Sequence, residues 1–124
     1  MKILIVDDEA QIRGMLASSF ARAGFAVQTA ADGAAAIAVC ETDDFDVVLS
    51  DVMMPKVNGH ELAQWVSVHS PNTVTVLMSG HDAECQRCAY SPRCTLIAKP
   101  FVVKQVLDTV KSLLAQRAGG LELN

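Results

Sequence analysis

A chain of 124 residues has room for one folded domain and not for two. With 51% apolar and 19% charged residues it can fill an interior, which excludes a disordered segment. The formal net charge is -4 and the ten Lys and Arg are scattered, so no surface built to neutralise a run of phosphates, and no direct nucleic-acid binding, is expected.

The chain opens on the apolar run 3–6, which Asp7-Asp8-Glu9 ends after four residues. That is too short for a signal peptide or a membrane span, so a cytoplasmic protein without membrane insertion is expected. Ile12, Leu16, Phe20 and Ala23 then recur at helical spacing, with Gly24 where a left-handed C-cap falls. A second β-branched run covers 25–29, and Asp32 can cap a helix whose apolar members include Ala35, Ile37, Ala38 and Val39. The run 47–50 follows. Gly59 opens a third helix with Leu62, Trp65 and Val66 facing inward, and Pro71 stops what comes after it.

The fourth run is 73–78, a weaker helix spans 82–90, and Ser91-Pro92 precedes the fifth run at 95–98. In the last helix Val103, Val106, Leu107, Val110, Leu113 and Leu114 form one stripe. Short apolar runs alternating with helices predict an α/β domain with a five-stranded parallel sheet, covered on both faces by right-handed crossovers. Continuous apolar strands imply burial on both sides. Domain boundaries at 1–118 are expected, with Gly119-Gly120 beginning a short tail or linker over 119–124.

In a doubly wound sheet, ligands collect beyond the carboxyl ends of the strands, where strand order reverses. The residues ending the apolar runs are Asp7-Asp8, Asp51, Ser79 and Lys99. An acidic pair alone can be a helix N-terminus signal, Lys99 alone a solvated lysine and Ser79 alone a turn residue. Single polar residues after four of the five runs make a site the better reading. Three converging carboxylates repel, and a hard cation removes that cost. Mg²⁺ suits an all-oxygen set, whereas Zn²⁺ does not, because no His or Cys adjoins these residues. With the ion shared by the adjacent Asp7 and Asp8, Asp51 is the candidate nucleophile toward phosphorus, Lys99 neutralises a phosphoryl oxygen and Ser79 donates to another.

Other residues read more plainly. His60 and His69 are taken as surface histidines, Trp65 as core or semi-core packing, and Lys2, Arg13, Arg22 and Lys111 as solubility charges. Four Cys in a domain able to build its own core are expected to be reduced thiols. Cys85 and Cys88 share a C-x-x-C spacing, with Cys94 and His81 nearby, but the second half of a paired metal site is missing, so ordinary packing is the expectation.

The motifs Ile3-Leu4-Ile5-Val6-Asp7-Asp8-Glu9, Val47-Val48-Leu49-Ser50-Asp51-Val52-Met53-Met54-Pro55-Lys56-Val57-Asn58-Gly59, Met78-Ser79-Gly80 and Lys99-Pro100-Phe101, in this order over residues 2 to about 118, resemble the response-regulator receiver domain of two-component signalling. The resemblance implies a flavodoxin-like fold with strand order 2-1-3-4-5. It implies Mg²⁺ held by the side chains of Asp8 and Asp51 and the carbonyl of Met53, with Asp7 acting through water. It further implies that Asp51 takes a phosphoryl group from a sensor histidine kinase or histidine phosphotransfer protein, that Ser79 and Lys99 fill the hydroxyl and phosphate-binding lysine positions, and that Lys99-Pro100 is cis. A downstream protein partner would be met through the segment 81–100.

Two departures stand out. The family often has an aromatic residue where this chain has Leu96, and the stretch from Ser79 to Lys99 is shorter than usual and carries Pro92. The chain is expected to catalyse its own aspartyl phosphorylation and slow dephosphorylation without turning over an external substrate. The alternative is a degenerate receiver serving as a phosphorylation-independent interaction module.

Overall fold

The computed structural model describes residues 1–54, 56–80 and 95–123, with side chains to 117 in the last helix. The helix expected over 82–90 lies outside the described residues, as do His81, Cys85, Cys88, Pro92 and Cys94. The elements run β1 (Lys2–Val6), α1 (Ala10–Arg22), β2 (Ala26–Ala30), α2 (Gly33–Thr42), β3 (Val47–Asp51), α3 (Gly59–His69), β4 (Val74–Ser79), β5 (Thr95–Ala98) and α4 (Val103–Leu123). All strand pairs are parallel and the order is β2-β1-β3-β4-β5.

The first three helices each begin at a side-chain cap or end at a glycine. The Asp32 carboxylate accepts the Ala35 N–H at 2.7 Å, and Asn58 and Glu61 form a reciprocal capping box at the start of α3. Gly24 follows α1 with φ 96°, a conformation costly for a residue with a Cβ. The backbone of α4 continues through Gly119-Gly120 to Leu123.

The period-two alternation of the strands builds a core on each face of the sheet. Ile3, Ile5, Val47, Leu49, Val76 and Met78 face Leu16 and Phe20 of α1 and Val106, Val110 and Leu114 of α4. Leu4, Val6 and Val48 face Ala36 of α2 and Leu62 and Val66 of α3. Phe20 is fully buried and meets Phe25 edge to face, with ring centroids 5.1 Å apart. Truncating a side chain so placed costs about 3–5 kcal/mol.

Three details depart from the sequence expectation. β2 starts at Ala26 and only Ala30 in it is buried, because it is the edge strand and has a neighbour on one side only. Ala23, Ala35 and Ala38 face solvent, whereas Gly33 and Ala36 are the buried residues of α2. An Ala-rich helix gives no polar face from which to read its orientation. Lys2 is also more than a solubility charge: its ammonium lies 3.1 Å from Asp43 and 5.1 Å from the centroid of the Phe45 ring.

The amino end of the sheet is tied by Asp46. Its carboxylate accepts the Lys2 N–H at 2.8 Å and pairs with Arg117 of α4 at 3.2 Å, while Arg117 also donates to the Asn72 carbonyl at 2.9 Å. On the outer face of α3, Trp65 stacks on His69 with centroids 4.1 Å apart. Trp65 is half-buried, as expected, and His69 is exposed. No helix among the described residues is long and apolar enough to cross a membrane.

Candidate functional site

Strand order reverses between β1 and β3, which are hydrogen-bonded neighbours leading to opposite sides of the sheet. Asp7 and Asp8 follow β1 and Asp51 ends β3, so the reversal point gathers all three. One carboxylate oxygen from each lies within 4.8 Å of the others. Asp7 is fully buried, Asp51 is 5% exposed and Asp8 is open to solvent.

Lys99, one residue past β5, places its Nζ 3.2 Å from Asp51 Oδ2. Its position follows from the β4–β5 pairing, in which Ser79 opposes Ala98 and the Lys99 N–H donates to the Ser79 carbonyl at 2.8 Å. The Lys99-Pro100 peptide is cis. Ser79 is fully buried at the same end of the sheet. Met53 is 59% exposed, and because its thioether is a soft donor, any part it takes in an all-oxygen site falls to its carbonyl. Leu96, in the position where an aromatic is common, is half-buried against Val52, Ala63 and Leu77.

The acidic cluster is electrostatically incomplete on its own. The Glu9 N–H donates to Asp7 Oδ1 at 2.8 Å, but Asp7 Oδ2 is buried with no hydrogen-bond partner. Burial pushes the Asp7 carboxyl above its ordinary 3.8, the Glu9 N–H opposes this, and the neighbouring Asp51 and Asp8 charges raise it further against the pull of Lys99. Three carboxylates against one ammonium leave a formal excess of two negative charges. An orphaned buried carboxylate oxygen, an all-oxygen donor set and that excess fit a hard divalent cation such as Mg²⁺.

Three further residues to which the sequence assigned no role of their own also shape the site. Arg13, expected to be a solubility charge, donates from Nη1 to the Asp7 carbonyl at 2.7 Å and thereby braces β1's exit against α1. The buried Ser50 hydroxyl donates to the Asp51 carbonyl at 2.9 Å. Gly59, which opens α3, lies so close to the end of β3 that an added Cβ would stand 2.5 Å from the Asp51 backbone oxygen. Its N–H donates to Val52 O at 2.9 Å, closing the connection that follows β3.

A family profile described as the response regulator receiver domain matches residues 3–111. Regulatory protein AtoC of Escherichia coli is 33% identical over 120 residues, covering 94% of this chain and 25% of that protein. Transcriptional regulatory protein ResD of Bacillus subtilis is 33% identical over 114 residues, covering 91% of this chain and 48% of that one. The chain thus spans a quarter to half the length of these curated relatives. The chemotaxis response regulator CheY4 of Vibrio cholerae superposes with a TM-score of 0.83 at 32% identity, covering 90% of this chain and 97% of that chain. With an acidic cluster and a lysine at the switch point of a β2-β1-β3-β4-β5 sheet, the chain belongs to the response-regulator receiver domains and is a phosphoacceptor signalling module.

Proposed function

We propose that Asp51 accepts a phosphoryl group from a phosphohistidine on a sensor histidine kinase or histidine phosphotransfer protein. The observation that carries this assignment is the placement of Asp51 within 4.8 Å of the carboxylates of Asp7 and Asp8 and 3.2 Å from Lys99. An oxygen of Asp51 attacks phosphorus, the P–N bond breaks, and its electron pair stays on the leaving imidazole. Lys99, already paired with Asp51, follows the growing charge and neutralises a phosphoryl oxygen. Ser79, at the end of β4, donates its hydroxyl to another.

Asp8 and Asp51, with the Met53 carbonyl, would hold Mg²⁺, and Asp7 would orient one of the ion's waters through its unpartnered Oδ2. Bound there, the ion supplies positive charge shared between the nucleophile and the transferring group. Arg13 and Glu9 keep Asp7 in place through the bonds to its carbonyl and Oδ1. The modified domain signals by altered binding of a downstream protein through the segment 81–100.

Incubation with acetyl phosphate and MgCl₂ tests the assignment. Intact-mass analysis should show one acid-stable, base-labile phosphoryl adduct that is absent from Asp51→Asn. An adduct that persists in that variant overturns the role of Asp51.

A further inference from the structure

The connection between β3 and α3 carries Met53, and it is pinned at more than one point. Gly59 closes its far end on Val52, as described above. A second pin comes from α2, which shares a face of the sheet with α3. Gly33, the first residue of α2, is buried, and an added Cβ there would lie 2.3 Å from Val57 O, 2.7 Å from Val57 Cβ and 2.8 Å from Val57 Cγ1. Backbone conformation is not the reason for a glycine at this position, because its φ lies outside the left-handed range. Proximity is the reason. The start of α2 is itself fixed by the Asp32 cap, so it cannot retreat cheaply. Val57 also follows Lys56, which sits at φ 68° without being a glycine, so the turn has little freedom to absorb a push.

We propose that Gly33 is a positioning residue for the acidic site: by leaving room for Val57 it sets where the turn at Lys56 and Val57 lies and so the backbone that Met53 presents. This inference rests on the Mg²⁺-dependent reading of the site. Mg²⁺ demands near-ideal octahedral geometry, so a displaced backbone ligand weakens binding sharply. Steric pressure from Gly33→Ala is directed at the Val57 carbonyl, a backbone atom, and cannot be relieved by a side-chain rotation.

The test uses the full chain and MgCl₂ alone, followed by calorimetry at a temperature well below the metal-free melt, with amide NMR of the metal-free protein. Gly33→Ala should bind Mg²⁺ about tenfold more weakly, as losses in the shell supporting a metal ligand typically do, and the amides of Val52, Met53 and Val57 should shift before metal is added. Gly14→Ala is the matched control, since a Cβ on that exposed helical glycine meets nothing within 4 Å; it should bind Mg²⁺ as the wild type does. Val57→Ala, which loosens the same contact without a clash, should also weaken Mg²⁺ binding and keeps the question open to decision if Gly33→Ala does not fold. Wild-type affinity in Gly33→Ala, or in Val57→Ala when the first variant is unfolded, overturns the inference alone. A wild-type chain that takes no Mg²⁺ overturns the site reading and this inference together.

Discussion

Replacing Asp7 by Asn should make the metal-free protein more stable and the Mg²⁺ response smaller. Asp7 is fully buried, and its carboxylate shares a 4.8 Å sphere with those of Asp8 and Asp51. Two unit charges at that separation repel by about 3.5 kcal/mol at an effective dielectric constant of about 20. Asp8 is exposed and its share is screened, and Lys99 offsets part of the Asp51 term. Asn keeps an oxygen for the Glu9 N–H and places an amide donor where Asp7 has its orphaned Oδ2. A net gain of about 2 kcal/mol, or about 8 °C in Tm, follows for the protein in a chelator. A tenfold loss of Mg²⁺ affinity would remove about 1.4 kcal/mol of metal stabilisation at saturating ion.

The pH dependence has a definite sign. The folded Asp7 carboxyl titrates above 3.8, so the folded state holds its proton where the unfolded chain has released it, and stability falls as pH rises through that window. The advantage of Asp7→Asn should therefore be full above the raised folded value and vanish below pH 3.8. Thermal melts at several pH values, with chelator and with Mg²⁺, measure all of this. An Asp7→Asn protein no more stable than wild type in chelator at neutral pH, or one with an undiminished Mg²⁺ shift, would refute the reasoning.

Lys99→Ala should slow phosphorylation by acetyl phosphate about 100-fold while leaving Mg²⁺ affinity equal or tighter, because the ammonium that competes with the ion for Asp51 is gone; mass-resolved kinetics and calorimetry separate the two effects. Arg117→Ala should cost about 1–2 kcal/mol in urea melts through loss of the Asn72 bond and the Asp46 pair. The Asp46 carboxyl lies below 3.8, first because of the Lys2 N–H and then, against its burial, because of Arg117, so its contribution is present above that pH and lost as pH falls through the folded value. The gap between Arg117→Ala and wild type should accordingly narrow in acid.

Which parts were legible follows from how directly the physics writes itself into the residue order. The central strands could be read because burial on both faces demands unbroken apolar runs, as in Ile3, Leu4, Ile5 and Val6. The acidic residues and Lys99 could be placed because each stands where such a run stops. β2 misled because an edge strand keeps β-branched residues while facing water. α2 misled because alanines satisfy either face of a helix. Arg13, Gly33 and Gly59 were illegible as contributors to the site, since each meets a backbone atom brought near only by the completed fold. Contacts of that kind leave no periodicity.

The strict sharing of strand residues between two cores also limits how this chain can change its length. In β3, Val47 and Leu49 belong to the face under α1 and α4, whereas Val48 belongs to the face under α2 and α3. One residue inserted ahead of Val48 would exchange these assignments and carry Asp51 a strand step, about 3.3 Å, away from Lys99. The damage to packing and to chemistry would arrive together, so such an insertion has no half-functional intermediate through which a lineage could pass. Substitution is the open route for drift in the strands, and growth or shrinkage of the chain is confined to connections such as residues 70–73, at the end of the sheet remote from the acids.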